Sequence, residues 1–225
     1  MRFRTLSSGI LILIILFLAS MMSACQDSNI VSPDSEQEIQ TMGAEEELTA
    51  EKGHRGVHIY TANIMGQVDD EGNRAVYAED SATLRRTKNG VSFQVKMPTP
   101  APGTYQYPEP GETATDDVGP PEAFSLWVFV FDPDQPPFNP DEGMNWSGAF
   151  LGSGHIVGGQ NLTLNGHIST QTEPFAGSYL ENPDTEIHLA IAPHGALSPE
   201  LMPDQIQTPA GGQPIWWVAI FDELE

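Results

Sequence analysis

Short apolar segments separated by turn-forming residues dominate this chain from about residue 57 onward. The 225 residues include 21 glycines and 19 prolines, and many of these stand between the apolar segments. Both residue types favour backbone conformations that end a strand or a helix. No amphipathic helix of useful length is visible in this part of the sequence. The pattern therefore predicts an all-β fold, an antiparallel β-sandwich of Ig-like or jelly-roll type with about eight strands.

Two strands are especially clear. Between Val91 and Met97 apolar and polar residues alternate, as expected for a strand with one buried face. The preceding Asn89-Gly90 pair is typical of a hairpin turn. The segment from Phe124 to Phe131 is the most apolar one after the N-terminal region, which predicts a central strand buried on both faces. Further strands are predicted at 57–63, 74–84, 149–157, 161–170, 185–192 and 215–221, with 149–157 and 161–170 joined as a hairpin across Gly158-Gly159-Gln160.

The N-terminal region has the features of an export signal. Two arginines precede the apolar stretch 9–22, and Ser23 and Ala24 stand just before Cys25, the only cysteine of the chain. This order is that of a secretory signal peptide, and Met22-Ser23-Ala24-Cys25 resembles the lipobox of bacterial lipoproteins. The resemblance implies that cleavage occurs before Cys25, which then carries the lipid. An uncleaved membrane-anchoring helix is the alternative, because a bilayer span needs about 20 apolar residues.

The chain is therefore expected to have three regions: a signal peptide at 1–24, the lipidated Cys25 with a disordered acidic tether at 25–53, and a β-sandwich domain at 54–225. The tether is predicted because it has too few large apolar side chains to form a core. Both alternatives for the N-terminal segment place the domain at a bacterial cell envelope. It is attached to a membrane there, in the periplasm or at the cell surface.

Acidic residues outnumber basic ones by 31 to nine, which gives a formal net charge of −22. Residues 97–225 contain neither lysine nor arginine and carry eighteen Asp or Glu. A nucleic-acid partner needs clustered positive charge, so this partner class is excluded. Three explanations of the acidity stay open: a solvated surface suited to a salty habitat, cation binding, and attraction of a basic partner protein.

A set of short motifs resembles an uncharacterised family of secreted, β-rich bacterial proteins. In chain order they are Leu126-Trp127-Val128-Phe129-Val130-Phe131-Asp132-Pro133, Gly154-His155-Ile156-Val157-Gly158, Gly166-His167-Ile168, Glu186-Ile187-His188-Leu189, His194-Gly195 and Asp204-Gln205-Ile206. The resemblance covers roughly residues 80–221 and implies a β-rich fold. It does not indicate what the activity is. That family carries additional cysteines and a basic residue before the His-Gly pair. This chain has neither, so a disulfide-stapled loop is not implied.

Histidines and acidic loop residues are the candidate metal ligands. Imidazole binds transition metals, and calcium takes about six to eight oxygen ligands. The candidates are Asp132, Asp134, Asp141, Glu142, His167, His188 and His194. The alternation of side chains along each predicted strand places His167 and His188 on the faces opposite the apolar ones. The expected hairpin register pairs His167 with residues 150–152, so His155 is not expected to lie next to His167. Surface histidines with local hydrogen bonds, and a loop held by its prolines, are the alternatives.

Trp146, Trp216 and Trp217 are the candidates for a surface that binds a glycan or a protein partner. Because Trp216 and Trp217 are adjacent in a predicted strand, their side chains must face opposite sides. No Gly-x-Ser-x-Gly or His-Glu-x-x-His motif occurs. We therefore expect a non-enzymatic structural or binding domain without a cofactor. A calcium- or transition-metal-binding protein is the first alternative, and a glycan-acting hydrolase with paired carboxylates is the second.

Overall fold

The computed structural model describes residues 57–224. Its strands are β1 His58–Met65, β2 Val76–Thr87, β3 Gly90–Pro98, β4 Glu122–Phe131, β5 Gly148–Val157, β6 Asn161–Ser169, β7 Ala176–Gly177, β8 Glu186–Ala196 and β9 Trp217–Phe221. The helical segments are a one-turn helix, α1 Asp204–Gln207, and two 3₁₀ turns at Pro140–Glu142 and Gln213–Ile215. The predicted signal peptide at 1–24, Cys25 and the tether at 25–53 lie outside the described residues. None of the helices within 57–224 has the length and hydropathy that a membrane span requires.

All nine strands belong to one antiparallel sheet, in the order β6-β3-β2-β1-β9-β8-β4-β5-β7. The sheet curls, so that side chains from its two halves meet in one core. Leu84 and Phe93 from one half belong to the same buried cluster as Leu126 and Leu189 from the other. The fold is therefore the all-β, antiparallel sandwich that the sequence predicts, made by one continuous sheet.

β3 and β4 confirm the two clearest strand predictions. In β3 every second residue from Val91 to Met97 is buried, while Gln94 and Lys96 between them are exposed. The hairpin before it is also present, because Thr87 pairs with Gly90. β4 is buried at nearly every position, since β8 and β5 pair with its two edges and apolar clusters cover both of its faces.

The predicted hairpin between 149–157 and 161–170 is wrong, although both strands exist. β5 pairs with β4 and β7, whereas β6 pairs with β3 at the far end of the strand order. The turn at Gly158-Gly159-Gln160 therefore carries the chain from one half of the curled sheet to the other. His167 consequently lies opposite Ser92 of β3 and not opposite residues 150–152.

Two glycines allow β5 and β6 to approach closely without forming a ladder of paired residues. A Cβ atom added to Gly166 would lie 2.6 Å from the carbonyl oxygen of Gly152 and 2.8 Å from the ring of Phe93. Side chains larger than hydrogen do not fit at such separations without movement of the backbone or the ring. The curl of the sheet therefore depends on small residues at this crossing.

Arg86 joins β2 to the ends of two other strands. Its side chain is 1% exposed, and its guanidinium donates to the carbonyl oxygens of Pro183 at 2.7 Å, Thr185 at 2.5 Å and Asp222 at 2.8 Å. These carbonyls lie just before β8 and just after β9, where the sheet provides no partner. Burial lowers the pKa of Arg86, and the nearby Asp184 opposes this shift.

Replacing Gly166 with alanine is expected to lower the free energy of unfolding by about 1–3 kcal/mol, because extra atoms in a close-packed core force backbone shifts. Urea titration of the purified protein measures the loss. Gly158→Ala is the matched control, since nothing lies within 4 Å of the position that its Cβ takes. Equal stabilities of the two variants would contradict this account of the β5–β6 crossing.

Candidate functional site

We call the buried cluster between the two halves of the curled sheet the main core. A groove of about 660 Å³ lies on the face of β4 that points away from this core. We call it the aromatic groove. Its floor is the outer face of β4, β5 and β8, and its walls are three loops, at 132–147, 170–185 and 208–216. Seven of its lining side chains are aromatic: Trp127, Phe129, Phe131, Phe138, Trp146, Phe175 and Trp216.

Strand alternation in β4 produces the floor of the groove. Leu126 and Val128 belong to the main core, so Trp127 and Phe129 between them point to the opposite face. Strand pairing then places His188 of β8 opposite Phe129, with Ala149 of β5 opposite it on the other side. Three neighbouring strands therefore contribute to one row of the floor.

The aromatic rings contact one another along the groove. Phe138 and Trp146 stack with ring centroids 4.7 Å apart and planes at 9°, and Phe129 stacks on Trp216 at 5.7 Å and 17°. Phe129 also meets Trp146 at 5.6 Å and an angle of 50°. Phe138 and Phe175 stay 47% and 54% exposed, so they present apolar ring surface to solvent. Exposed aromatic surface gathered around a concave site is typical of a binding site.

The titratable side chains in the lining of the groove are Glu142 and His188. The Nε2 atom of His188 lies 2.6 Å from Oε1 of Glu186. Burial lowers the pKa of His188, while the Glu186 carboxylate opposes the shift. Burial therefore favours the neutral imidazole of His188, and Glu142 and Glu186 are the acidic groups at the groove.

Two hydrogen-bonding side chains hold the 208–216 loop against the sheet. Trp216 donates from Nε1 to the carbonyl oxygen of Ala210 at 2.7 Å. Arg74 donates to the carbonyl oxygens of Gly66 at 2.5 Å and Trp216 at 2.6 Å, and also to that of Gln213. A smaller cavity of about 140 Å³ extends from the groove toward Arg74. The guanidinium faces backbone carbonyls, so Arg74 supports the loop.

Two of the three tryptophans predicted to bind a ligand line the groove. Trp146 is half-buried at its edge, and Trp216 is buried in its wall. Trp217 points to the other face of the strand and is 2% exposed in the main core, where its ring meets Phe124 and Tyr105. The prediction that the adjacent tryptophans face opposite sides is confirmed, and Trp217 is a core residue.

Sequence reasoning missed Trp127 and the four phenylalanines of the groove. One signal was available, because a strand buried on both faces needs apolar side chains from elsewhere to cover its second face. Phe138 and Phe175 stand in loops rich in polar residues, where a large apolar side chain is conspicuous. The sequence of a strand does not determine which loop packs on its second face.

The predicted histidine ligands are separated in the structure. His167 is exposed on β6 and lies 3.0 Å from the hydroxyl of Ser92, whereas His188 is on β8, distant in the strand order. His194 is enclosed in the protein interior. Within residues 57–224, no group of three or more His, Cys, Asp or Glu side chains is arranged to hold a metal ion.

The acidic loop after β4 is held by its own hydrogen bonds. Asp132 is buried, and its Oδ1 accepts from the backbone N–H of Asp134 at 3.0 Å. The backbone N–H of Asp132 donates to the hydroxyl of Ser147 at 3.1 Å. Asp134, Asp141 and Glu142 are exposed, the last two in the Pro140–Glu142 turn. The structure therefore uses Asp132 to order the loop and does not gather the other carboxylates around it.

A buried carboxylate that sequence reasoning missed lies at the start of β4. Glu122 is 2% exposed, and its two oxygens accept from the hydroxyls of Tyr105 and Tyr107, each at 2.6 Å. Burial, followed by the hydrogen bond to Glu122, raises the pKa of Tyr105 far above its usual value. These bonds attach the 98–121 loop to the sheet.

Ser125 and His194 form an enclosed polar network between β4 and β8. The Nδ1 of His194 lies 2.6 Å from the carbonyl oxygen of Thr113, and Nε2 lies 2.7 Å from the hydroxyl of Ser125. The carbonyl can only accept, so Nδ1 carries the proton and Nε2 accepts from the serine. Trp127 donates to the same hydroxyl at 2.9 Å. Because Ser125 and His194 are both 0% exposed, the pair joins structural elements and is not open to a substrate.

Comparisons with protein-family models, with curated proteins and with solved structures found no match for this chain. The resemblances to lipoprotein signals and to secreted β-rich proteins therefore stay predictions. The aromatic groove and the charge of the chain are the features that bear on its function.

Acid is expected to destabilise the protein through His194. Burial lowers the pKa of this imidazole from 6.5 to about 4. Between these two pH values the imidazole is protonated in the unfolded chain and unprotonated in the folded chain. This contribution to stability is complete above pH 6.5 and is lost as the pH falls toward 4, by about 3 kcal/mol in total. Urea titrations across this pH range measure the change.

His194→Asn is expected to lose this part of the pH dependence, whatever its stability at neutral pH. His155→Asn is the control, because His155 is exposed and should leave the pH dependence unchanged. An identical slope in the wild type and in His194→Asn would show that His194 is not responsible.

Proposed function

We propose that this chain is a lipid-anchored binding protein of a bacterial cell envelope, and that its β-domain acts without catalysis by holding a ligand in the aromatic groove. The observation that supports the proposal is the gathering of seven aromatic side chains around one open groove of about 660 Å³. Ligand sites are typically concave and mostly apolar, with a small number of polar groups that orient the ligand. The aromatic groove has this composition, with Asn145, His188 and Gln213 as polar groups.

A binding role explains the exposed rings better than a purely structural one. Removing apolar surface from water lowers the free energy by about 25 cal/mol per Å². The exposed part of a ring does not contribute this stabilisation. Phe138 and Phe175 are both about half-exposed at the edges of the groove. A ligand that covers these rings recovers that free energy on binding.

The two alternative functions have no comparable feature among the described residues. Metal binding lacks a cluster of ligands within 57–224. A glycan-acting hydrolase needs paired carboxylates, whereas Glu142 is the carboxylate that lines the groove.

The envelope location and the anchor are supported by the N-terminal sequence. Arg2 and Arg4, the apolar stretch 9–22 and the small residues before Cys25 occur in the order of an export signal. The polar segment after Cys25 is suited to hold the domain at a distance from the membrane.

Removing the groove's exposed rings is expected to weaken ligand binding strongly. The double variant Phe138→Ala/Phe175→Ala should weaken any groove ligand by about 30-fold or more, because truncation of an aromatic anchor costs about 2 kcal/mol or more. Fluorescence of the groove tryptophans measures binding across panels of peptides and oligosaccharides. Tyr179→Ala is the control, since Tyr179 is 44% exposed but does not line the groove. Ligands that bind both variants and the wild type equally would place binding elsewhere.

Cys25→Ser is expected to abolish lipid attachment. Cells grown with labelled palmitate should label the wild-type protein and not the variant, and mass spectrometry should show that the variant keeps residues 1–24. Ser28→Ala is the control and should be labelled and cleaved like the wild type. If the N-terminal segment is instead an uncleaved helix, the wild type and Cys25→Ser will both retain residues 1–24 and stay unlabelled.

A further inference from the structure

We infer that the occupant of the aromatic groove is a positively charged segment of a basic protein, whose lysine or arginine side chains lie against the aromatic rings. This inference deepens the proposed function and rests on it, because it names the chemistry of the ligand that the groove receives.

The charge of the groove favours a cationic ligand. Its lining runs from Trp127 to Trp216, inside the part of the chain that has neither lysine nor arginine. Glu142 is the charged side chain of the lining, and a second carboxylate, Glu186, contacts the lining residue His188. Arg74, which lines the adjoining smaller cavity, donates to the backbone carbonyls of Gly66, Gln213 and Trp216. An anionic ligand therefore meets repulsion in the groove, and a cationic one meets complementary charge.

The aromatic surface of the groove also suits a cation. The face of an aromatic ring carries a negative potential and attracts a cation placed within about 6 Å of its centroid. The centroid of Phe129 lies 5.6 Å from that of Trp146, and both rings are only partly buried. One cation can therefore approach both rings. Lysine and arginine also have long apolar stems, which suit an apolar floor bordered by carboxylates.

The size of the groove and the long-range attraction of the chain favour a polypeptide partner. A groove of about 660 Å³ is much larger than one ammonium group requires, so it suits several side chains of a polypeptide. The chain carries a formal net charge of −22, and such a field raises the rate of encounter with a polycation. Charge steering and aromatic anchoring therefore favour the same class of partner.

The test uses the full-length protein in detergent and three peptides of equal length. The first alternates lysine with leucine, and the other two carry glutamine or glutamate in place of lysine. A chitin oligosaccharide is the fourth probe. Isothermal titration should show that the lysine peptide binds at least about tenfold more tightly than the glutamine peptide at low salt. This advantage should shrink as salt is raised, because screening weakens exposed charges.

Variants locate the binding. Phe138→Ala should weaken the lysine peptide by about tenfold or more, and Glu142→Gln by about two- to fivefold, since Glu142 is exposed. Tyr179→Ala and Glu200→Gln remove an exposed aromatic and an exposed carboxylate outside the groove, and they should bind like the wild type.

Three outcomes would overturn the inference. If the glutamine peptide or the oligosaccharide binds as tightly as the lysine peptide and Phe138→Ala weakens it, the groove binds a neutral ligand and the proposed function stands. If the lysine peptide binds but Phe138→Ala has no effect, the attraction is a property of the acidic surface alone. If none of the probes is affected by Phe138→Ala or Phe138→Ala/Phe175→Ala, the groove is not the binding site and the proposed function fails as well.

Discussion

The burial of β4 on both faces is the constraint on which the rest of the structure depends. One face of this strand is covered by the curled sheet, and the other must be covered by loops, through Phe138, Phe175 and Trp216. A loop covers a sheet less completely than a second sheet does, because its backbone groups need water or partners of their own. The aromatic groove is the space that remains between the outer face of the sheet and these loops.

Two cationic side chains in the described part of the chain hold backbone segments together. Among the five Lys and Arg residues within 57–224, Arg74 and Arg86 both direct their guanidinium groups to backbone carbonyls. Each satisfies oxygens at a strand end or a loop where the sheet offers no donor. The surface around the groove is consequently acidic. The same residues that stabilise the fold therefore contribute to the electrostatic character of the candidate site.

Local periodicity predicted individual strands well and their partners poorly. The alternation in β3 and the two-sided burial of β4 follow from the side-chain period of a strand, which neighbouring residues determine. The same period predicted that Trp216 and Trp217 face opposite sides. The hairpin proposed for 149–170 was wrong because a short Gly-rich turn is compatible with two outcomes, a tight pairing or a crossing between the halves of a curled sheet. The close approach of Gly152 and Gly166 permits the second.

By itself, the sequence determined the all-β class, the acidic character of the chain and the faces on which most strand residues lie, since these follow from composition and short-range alternation. Only the tertiary structure decided that Trp127, Phe138, Phe175 and Trp216 share a groove, that Trp217 belongs to the core, and that His167 and His188 stay apart. These outcomes are contacts between residues distant in the chain. The free energy of these contacts depends on how the two halves of the curled sheet pack together and on which loop covers the outer face of the sheet. Neither is encoded within a single segment.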